Sequence, residues 1–323
     1  MEQTLFNAVA PVGISVVVPL KDEERNVAPL VRSVIDTLLG VDDSFEIILV
    51  DDGSQDDSWS EIVQASSDPH VRGIRLCRNF GKEAALRAGL EYSRGAGVIT
   101  MDGDLQHPPS LIPEMVRAWR GKKVQIVEAV RETPAKRSFL QELGARTVYA
   151  VFRSVTGVMI EGRTDFRLLD RTVVDFLCNL PERATFFRGL LAWYGFSTLS
   201  LGFSVVDRKV GSSRWSFFRL LSFGLDVITG FTSFPLRLMT FCSCGFLSFS
   251  AILILQTLYG YVTHRSVEGF STVIICILLV GGVVTAGLGI IGEYLARIFE
   301  EIKHRPRYRV SEWVGVEETS TKR

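Results

Sequence analysis

Val98-Ile99-Thr100-Met101-Asp102-Gly103-Asp104-Leu105-Gln106 is the stretch on which the reading of this chain turns. Its first four residues form a short apolar run, the mark of a buried strand, and two carboxylates follow at the carboxyl end. If the backbone stays extended past Met101, Asp102 and Asp104 point to the same side, because residues two apart on a strand share a face. Gly103 between them lets the backbone come close to a ligand. Hard cations such as Mg²⁺ are commonly shared between one or two carboxylates and a substrate's phosphates. A metal–diphosphate site fits this stretch, and so does a polar loop leading into a helix near Pro109.

Comparable runs lie on both sides: Gly13–Pro19, Phe45–Asp51, Gly73–Leu76 and Val124–Val130, with Val98–Asp102 fourth in order. They are β-branched and lack strict polar alternation, as strands covered on both faces do. Helical patterns separate them, at Asn26–Leu39 with Asn26 as N-cap, Asp57–Ala65, Lys82–Arg94 and Ser110–Arg120. Strands alternating with helices predict an α/β domain with a mostly parallel, Rossmann-like sheet. Ligands of such sheets bind beyond the carboxyl ends of the strands. Asp51-Asp52-Gly53-Ser54 ends the second run, where a carboxylate can accept from a nucleobase or a ribose and Gly53 admits close approach. The same tetrapeptide is also ordinary turn chemistry.

Farther along, Arg131 to Arg171 is polar and basic, with a helix expected near Gln141–Val155. Phe186–Trp193 reads as helix and Gly195–Val206 as strand. Arg183 and Arg188 lie close in sequence, and Arg208, Gly211, Ser212, Ser213 and Arg214 form a basic, hydroxyl-bearing loop. Arginines and hydroxyls in such a loop suit anionic oxygens, either a ligand phosphate or the headgroups of an anionic membrane. Ser213–Phe231 carries Phe217, Leu220, Leu221, Ile228 and Phe231 beside cations. That pattern suits a helix lying in the headgroup layer, or one packed on a core.

No charged residue occurs from Leu238 to Thr263 or from Gly269 to Gly292. Each stretch can cross a hydrocarbon core, which takes about 20 residues. The predicted spans are 238–261 and 270–291. Basic residues flank them on the outer sides, Arg208, Lys209, Arg214, Arg219 and Arg237 before, and Arg297, Lys303, Arg305, Arg307 and Arg309 after. This asymmetry places both termini and the α/β domain in the cytoplasm. Gly287-Leu288-Gly289-Ile290-Ile291-Gly292 matches the dinucleotide fingerprint letter by letter, but no strand precedes it. Gly281, Thr285 and Gly289 instead suit close helix contact and self-association.

Lys plus Arg equals Asp plus Glu at 36 each, so the overall charge gives no reason to expect a nucleic-acid partner. The five cysteines show no metal-ligand spacing and fit a reducing compartment. The N-terminus lacks a signal-peptide pattern, leaving membrane attachment to the hairpin. The organisation expected is a catalytic domain over 1–212, a juxtamembrane amphipathic helix over 213–235, two transmembrane helices within 236–292, and a C-terminal helix and tail over 293–323. The last dozen residues are polar and read as disordered.

The order of these motifs resembles the polyprenyl-phosphate glycosyltransferases of glycosyltransferase family 2, which include dolichyl-phosphate mannose synthases and bactoprenol glucosyl transferases. The residues are Val18-Pro19, Asp22-Glu23-Glu24, Asp51-Asp52-Gly53-Ser54, Asn79-Phe80-Gly81-Lys82, Asp102–Gln106-His107-Pro108-Pro109, Thr164–Arg171 and Glu182–Gly189. The likeness runs from about Ile14 to Arg307. It implies a GT-A fold, a nucleotide-sugar donor, Mg²⁺ or Mn²⁺, inverting transfer to a lipid phosphate, and a homo-oligomer such as a tetramer. By position it implies that Pro19, Glu23 and Asp51 hold the nucleoside, with Asp52, Ser54 and Lys82 in the same donor site. Asp102, Asp104 and Gln106 take the metal and diphosphate, and Asp165 acts as base or orients the acceptor. Arg183, Arg188, Arg208, Ser213 and Arg214 contact phosphate. The chain has Lys21-Asp22 where the family often has Tyr-Asn, and Gly211-Ser212-Ser213-Arg214-Trp215 where it usually has Gly-x-Ser-Lys-Tyr.

The expected reaction moves a hexose, glucose from UDP-glucose, to undecaprenyl phosphate at the cytoplasmic face of the inner membrane. A GDP-mannose-dependent mannosyltransferase is the alternative. A processive polysaccharide synthase fits less well, because Gly211 stands where its Gln-x-x-Arg-Trp signature needs Gln. A nucleotide-binding scaffold without turnover leaves Asp102, Asp104 and Asp165 without a purpose.

Overall fold

The computed structural model describes residues 12–41, 44–131, 163–180, 187–203, 270–303 and 305–315, with scattered positions between 239 and 263. Its strands are β1 (Ile14–Leu20), β2 (Phe45–Asp51), β3 (Val71–Leu76), β4 (Gly97–Thr100), β5 (Ile126–Arg131), β6 (Arg163–Asp170), β7 (Thr198–Phe203) and β8 (Val310–Val314). The helices are α1 (Glu24–Leu38), α2 (Ser58–Ala65), α3 (Lys82–Tyr92), α4 (Ile112–Lys122), α5 (Arg171–Asn179), α6 (Phe187–Trp193) and α7 (Phe270–Ile302). Two compact units result, one built on the sheet and its flanking helices and the other holding α7.

The strands form one sheet in the order β7-β5-β6-β4-β1-β2-β3-β8. Its centre, β4-β1-β2-β3, is parallel throughout. Alternation along β1 explains the layering. Val16, Val18 and Leu20 join the apolar stripe of α1 (Val27, Leu30, Val31, Val34, Leu38) together with α2 and α4 on one face. Val17 faces the other way, into a second core with α3, α5 and α6. Both faces are covered, so the apolar runs read as continuous. β1 runs on to β2 and β3 on one side, whereas β4 pairs on its other side, so the winding reverses beside β1. Crevices open at such reversals beyond the strands' carboxyl ends.

Three parts of the architecture differ from expectation. β6 lies between β4 and β5, antiparallel to both, inside a region read as merely polar and basic. Its polar Thr164, Asp165 and Arg167 masked the strand pattern, yet Phe166, Leu168 and Leu169 are fully buried. β8 pairs antiparallel with β3 and closes that edge, so residues up to Val314 are ordered where a disordered tail was expected. The C-terminal segment thus extends the sheet of a domain whose expected boundary was 212. Asn26 is not an N-cap: α1 begins at Glu24, and the Asn26 side chain donates to the Glu23 carboxylate from within the first turn.

α7 contains 33 residues, so the expected second span over 270–291 and the expected C-terminal helix from 293 form one continuous helix. At 1.5 Å per residue it is about 50 Å long, more than a hydrocarbon core of about 30 Å. Within it, Leu279–Ala296 is long and apolar enough to cross a membrane and is nowhere buried by the protein. Val273, Ile277, Val284, Leu288, Ile291 and Leu295 are exposed along it. Water would penalise that surface and lipid would not. Thr285 Oγ1 donates to Gly281 O at 2.8 Å, which satisfies the hydroxyl within the helix. The described positions from 239 to 262 are helical. The expected helices at 141–155 and 213–231 lie outside the described residues.

Candidate active site

β4 stops at Thr100, two residues before Asp102. Strand alternation therefore does not aim Asp102 and Asp104; a tight turn does. Leu105 sits in the left-handed region at φ 58°, a conformation that a residue with a Cβ seldom adopts. The Gln106 N–H donates to Asp104 Oδ1 at 3.1 Å and closes the turn. Gly103 is needed for packing, whatever ligand its backbone admits. A Cβ there would lie 2.3 Å from Leu20 Cδ2, so its backbone packs on the fully buried end of β1.

His107 holds the turn from inside. Its Nδ1 accepts the Asp102 backbone N–H at 3.0 Å, and its ring stacks on Phe166 with centroids 5.2 Å apart. An acceptor Nδ1 carries no proton, so the imidazole is the neutral Nε2–H tautomer. Burial drives its pKa below the ordinary value, while Asp102, Asp104 and Asp165 pull it up and Lys82 pushes it down. Those four groups surround the ring closely enough to act on its charge, so the crevice gathers them in one place.

Lys82, the first residue of α3, reaches across that crevice. Its Nζ lies 2.5 Å from Asp102 Oδ1 and 2.6 Å from Asp165 Oδ2. Burial disfavours the ammonium, but the two carboxylates outweigh it and hold the lysine above its ordinary pKa. Thr100 Oγ1 donates to Asp165 O at 2.6 Å, fixing β6 against β4. Asp165 on β6 and Asp102 in the turn after the adjacent β4 thus converge on one positive charge.

The loop that carries Lys82 is set by Asp52. Its two carboxylate oxygens accept the N–H groups of Phe80 at 2.7 Å and Gly81 at 2.9 Å. Burial raises the Asp52 pKa against those bonds. Gly53, at φ 65°, turns so close to the same loop that a Cβ would lie 2.5 Å from Arg78 C. Ser54 Oγ accepts the Asp22 N–H at 2.9 Å, and Asp22 Oδ1 accepts the Gln55 N–H at 2.8 Å. Asp52 and Ser54 therefore lace the loops after β1, β2 and β3 together.

Asp51 is fully buried. Its Oδ1 accepts the Ser54 N–H at 3.0 Å, whereas Oδ2 has no hydrogen-bond partner. Arg75 Nε stands 3.4 Å from Oδ2, near enough for charge attraction and not aligned for a bond. Arg75 in turn donates to Glu312 Oε1 at 2.9 Å and lies over the Trp59 ring, and Trp59 Nε1 donates to Glu312 Oε2 at 3.0 Å. Arg75, Trp59 and Glu312 were not singled out in the sequence, and His107 was quoted within a motif without a role. Nothing local in sequence links Arg75 to Glu312, and the only sign of His107 was its place beside the acidic turn.

Of the expected metal set, Asp102 and Asp104 flank His107, while the Gln106 side chain faces Arg131 at 3.5 Å. Pro19 lies near the end of β1, and Glu23 follows at the start of α1. A divalent cation needs converging hard oxygens, and the ammonium of Lys82 marks one point where two carboxylate oxygens converge. Among the described residues no group of three or more acidic, histidine or cysteine side chains closes on one point; Mg²⁺ or Mn²⁺ would fit these two oxygens with the remaining ligands supplied by a substrate's phosphates. Arg183, Arg208, Ser213 and Arg214 lie outside the described residues, as does the side chain of Arg188.

Comparison with known proteins agrees with this geometry. Residues 15–171 match the model of Glycosyl transferase family 2. An uncharacterized glycosyltransferase of Synechocystis sp. is 38% identical, over 95% of this chain and 97% of the relative. A putative glycosyltransferase, CsbB of Bacillus subtilis, is 37% identical over 93% of this chain and 91% of its own length. The bactoprenol glucosyl transferase of Shigella phage SfV is 36% identical over 91% of this chain and 97% of its own. The chain belongs to glycosyl transferase family 2.

Proposed function

We propose that this family 2 glycosyltransferase moves glucose from UDP-glucose to the phosphate of a polyprenyl lipid such as undecaprenyl phosphate. The observation that carries the reading is the convergence of Asp102 and Asp165 on one cation in the crevice beside β1. The likeness to bactoprenol glucosyl transferase over nearly the whole chain supports the acceptor class. The apolar surface of α7 supports attachment to a membrane. A second span over 238–261 and both termini in the cytoplasm complete the proposed topology and rest on the uncharged stretch and its flanking cations alone.

Asp51 offers a buried, unbonded oxygen to a nucleoside N–H, with Pro19 and Glu23 at the neighbouring strand end. Asp102 and Asp165 would hold the cation, with Asp104 and Gln106 on the turn of Asp102. Bound Mg²⁺ or Mn²⁺ supplies neutralisation of the charge that develops on the leaving diphosphate. Lys82 adds a second positive group there. A phosphate oxygen of the acceptor attacks the anomeric carbon while the bond to the diphosphate breaks. That oxygen is already negative near neutrality, so Asp165 orients and needs no strong basicity. One displacement without a covalent enzyme intermediate inverts the anomeric centre. Arg183, Arg188, Arg208, Ser213 and Arg214 are the groups assigned to the acceptor's phosphate.

The test is transfer from radiolabelled UDP-glucose to undecaprenyl phosphate by the purified chain in detergent with Mn²⁺. Label that partitions into organic solvent supports the reading. A growing water-soluble polymer, transfer from GDP-mannose alone, or no transfer from any nucleotide sugar overturns it.

A further inference from the structure

Lys82 has a fixed root and a long side chain. The N–H groups just before it are held by Asp52. Its side chain is 42% exposed, and its ammonium bonds the carboxylates of Asp102 and Asp165. Four methylenes separate the two ends, so the charge can move without the helix moving. The charge count matters. Two carboxylates alone present −2 to a cation, whereas with Lys82 between them the cluster presents −1. Both carboxylates are partly buried, and charges a few ångströms apart there are weakly screened.

We propose that Lys82 is the resident counter-cation of the Asp102–Asp165 pair and leaves it only for the donor's diphosphate, so that metal and donor bind as a pair. Alone, a divalent ion must displace the ammonium into water, where no anion replaces the two carboxylates it leaves. Together with a nucleoside diphosphate it arrives with an anion that takes Lys82 over. Lys82 thereby suppresses binding of free metal and makes it depend on the nucleotide. The inference rests on the metal reading of Asp102 given above and adds a binding order to it.

The experiment measures Mn²⁺ binding by electron paramagnetic resonance to the full chain in detergent, with and without UDP. Lys82→Met is expected to bind Mn²⁺ about 5-fold or more tightly without UDP, and the tightening by UDP shrinks by the same factor. Lys82→Arg keeps the wild-type coupling. Lys82→Gln repeats the loss of charge with a polar side chain, so one misfolded variant does not decide the matter, and melting temperatures check the fold of each. Unchanged or weaker Mn²⁺ binding by both neutral variants overturns the inference. Asp102→Asn separates the two levels. If it binds Mn²⁺ as the wild type does, the metal reading itself fails. If it loses Mn²⁺ while the Lys82 variants stay unchanged, only the counter-cation role fails.

Discussion

Arg75 donates to Glu312 at 2.9 Å across 237 positions of sequence, and the same arginine stands beside the buried carboxylate of Asp51. One oxygen of Glu312 serves Arg75 and the other serves Trp59. The strand that follows α7 in the chain is therefore coupled to the part of the crevice assigned to the nucleoside.

Glu312→Ala removes both bonds and leaves the buried Trp59 N–H to find water. We expect a loss of about 1–3 kcal/mol, the cost of an unmet buried donor plus a charged pair. For a domain of this size that lowers the melting temperature by about 2–4 °C per kcal/mol, read by thermal shift. No change in melting temperature would mean that β8 is held by its backbone ladder alone.

His107→Phe keeps the stack on Phe166 and deletes the acceptor for the Asp102 N–H. Transfer should fall by about tenfold, the equivalent of 1.4 kcal/mol, with a smaller effect on melting. The pH dependence has a definite sign. Burial depresses the folded-state pKa of His107, so below about 6.5 the unfolded chain binds the extra proton first. Stability thus falls as pH drops from 6.5 toward the depressed value, and His107→Phe should flatten that segment of a stability–pH curve.

Gly103→Ala puts a methyl group against Leu20, which is too deeply buried to swing away. Overpacking of this kind costs about 1–3 kcal/mol. In a Leu20→Ala background the same change should cost much less, because the two positions share one contact. Additive losses in thermal denaturation would refute the packing account.

Asp52→Asn exchanges one acceptor for a donor that faces the N–H of Phe80 or Gly81. The loop bearing Lys82 should loosen, raising the KM for the donor several-fold more than it lowers kcat. A kcat effect alone, with KM unchanged, would place Asp52 in the chemistry and not in the loop.

Much of this was written locally in the chain. β1 to β5 and α1 to α4 were readable because each is a short apolar run or a periodic stripe between polar turns. β6 was not, because Asp165, which serves the crevice, and Arg167, a buried charge, break the apolar pattern. β8 was not, because its exposed Ser311 and Glu312 look like tail, and pairing with β3 is a property of the fold alone. The acidic turn after β4 was legible as chemistry, but the packing of Gly103 on Leu20 was not, since only the fold brings the end of β1 beside it. The meeting of Lys82 with Asp165 depends on β6 entering the sheet beside β4, which no spacing reveals. The basic loop at 208–214 stays an expectation.

Closure of the β3 edge by β8 has a consequence for biogenesis. A ribosome completes β3 long before it makes Val310–Val314, and α7 emerges in between. During that interval the row of N–H and C=O groups on β3 is open to any other strand, including one from a nascent neighbour. Chains cut short before Val310 never close that edge, so they should aggregate through it.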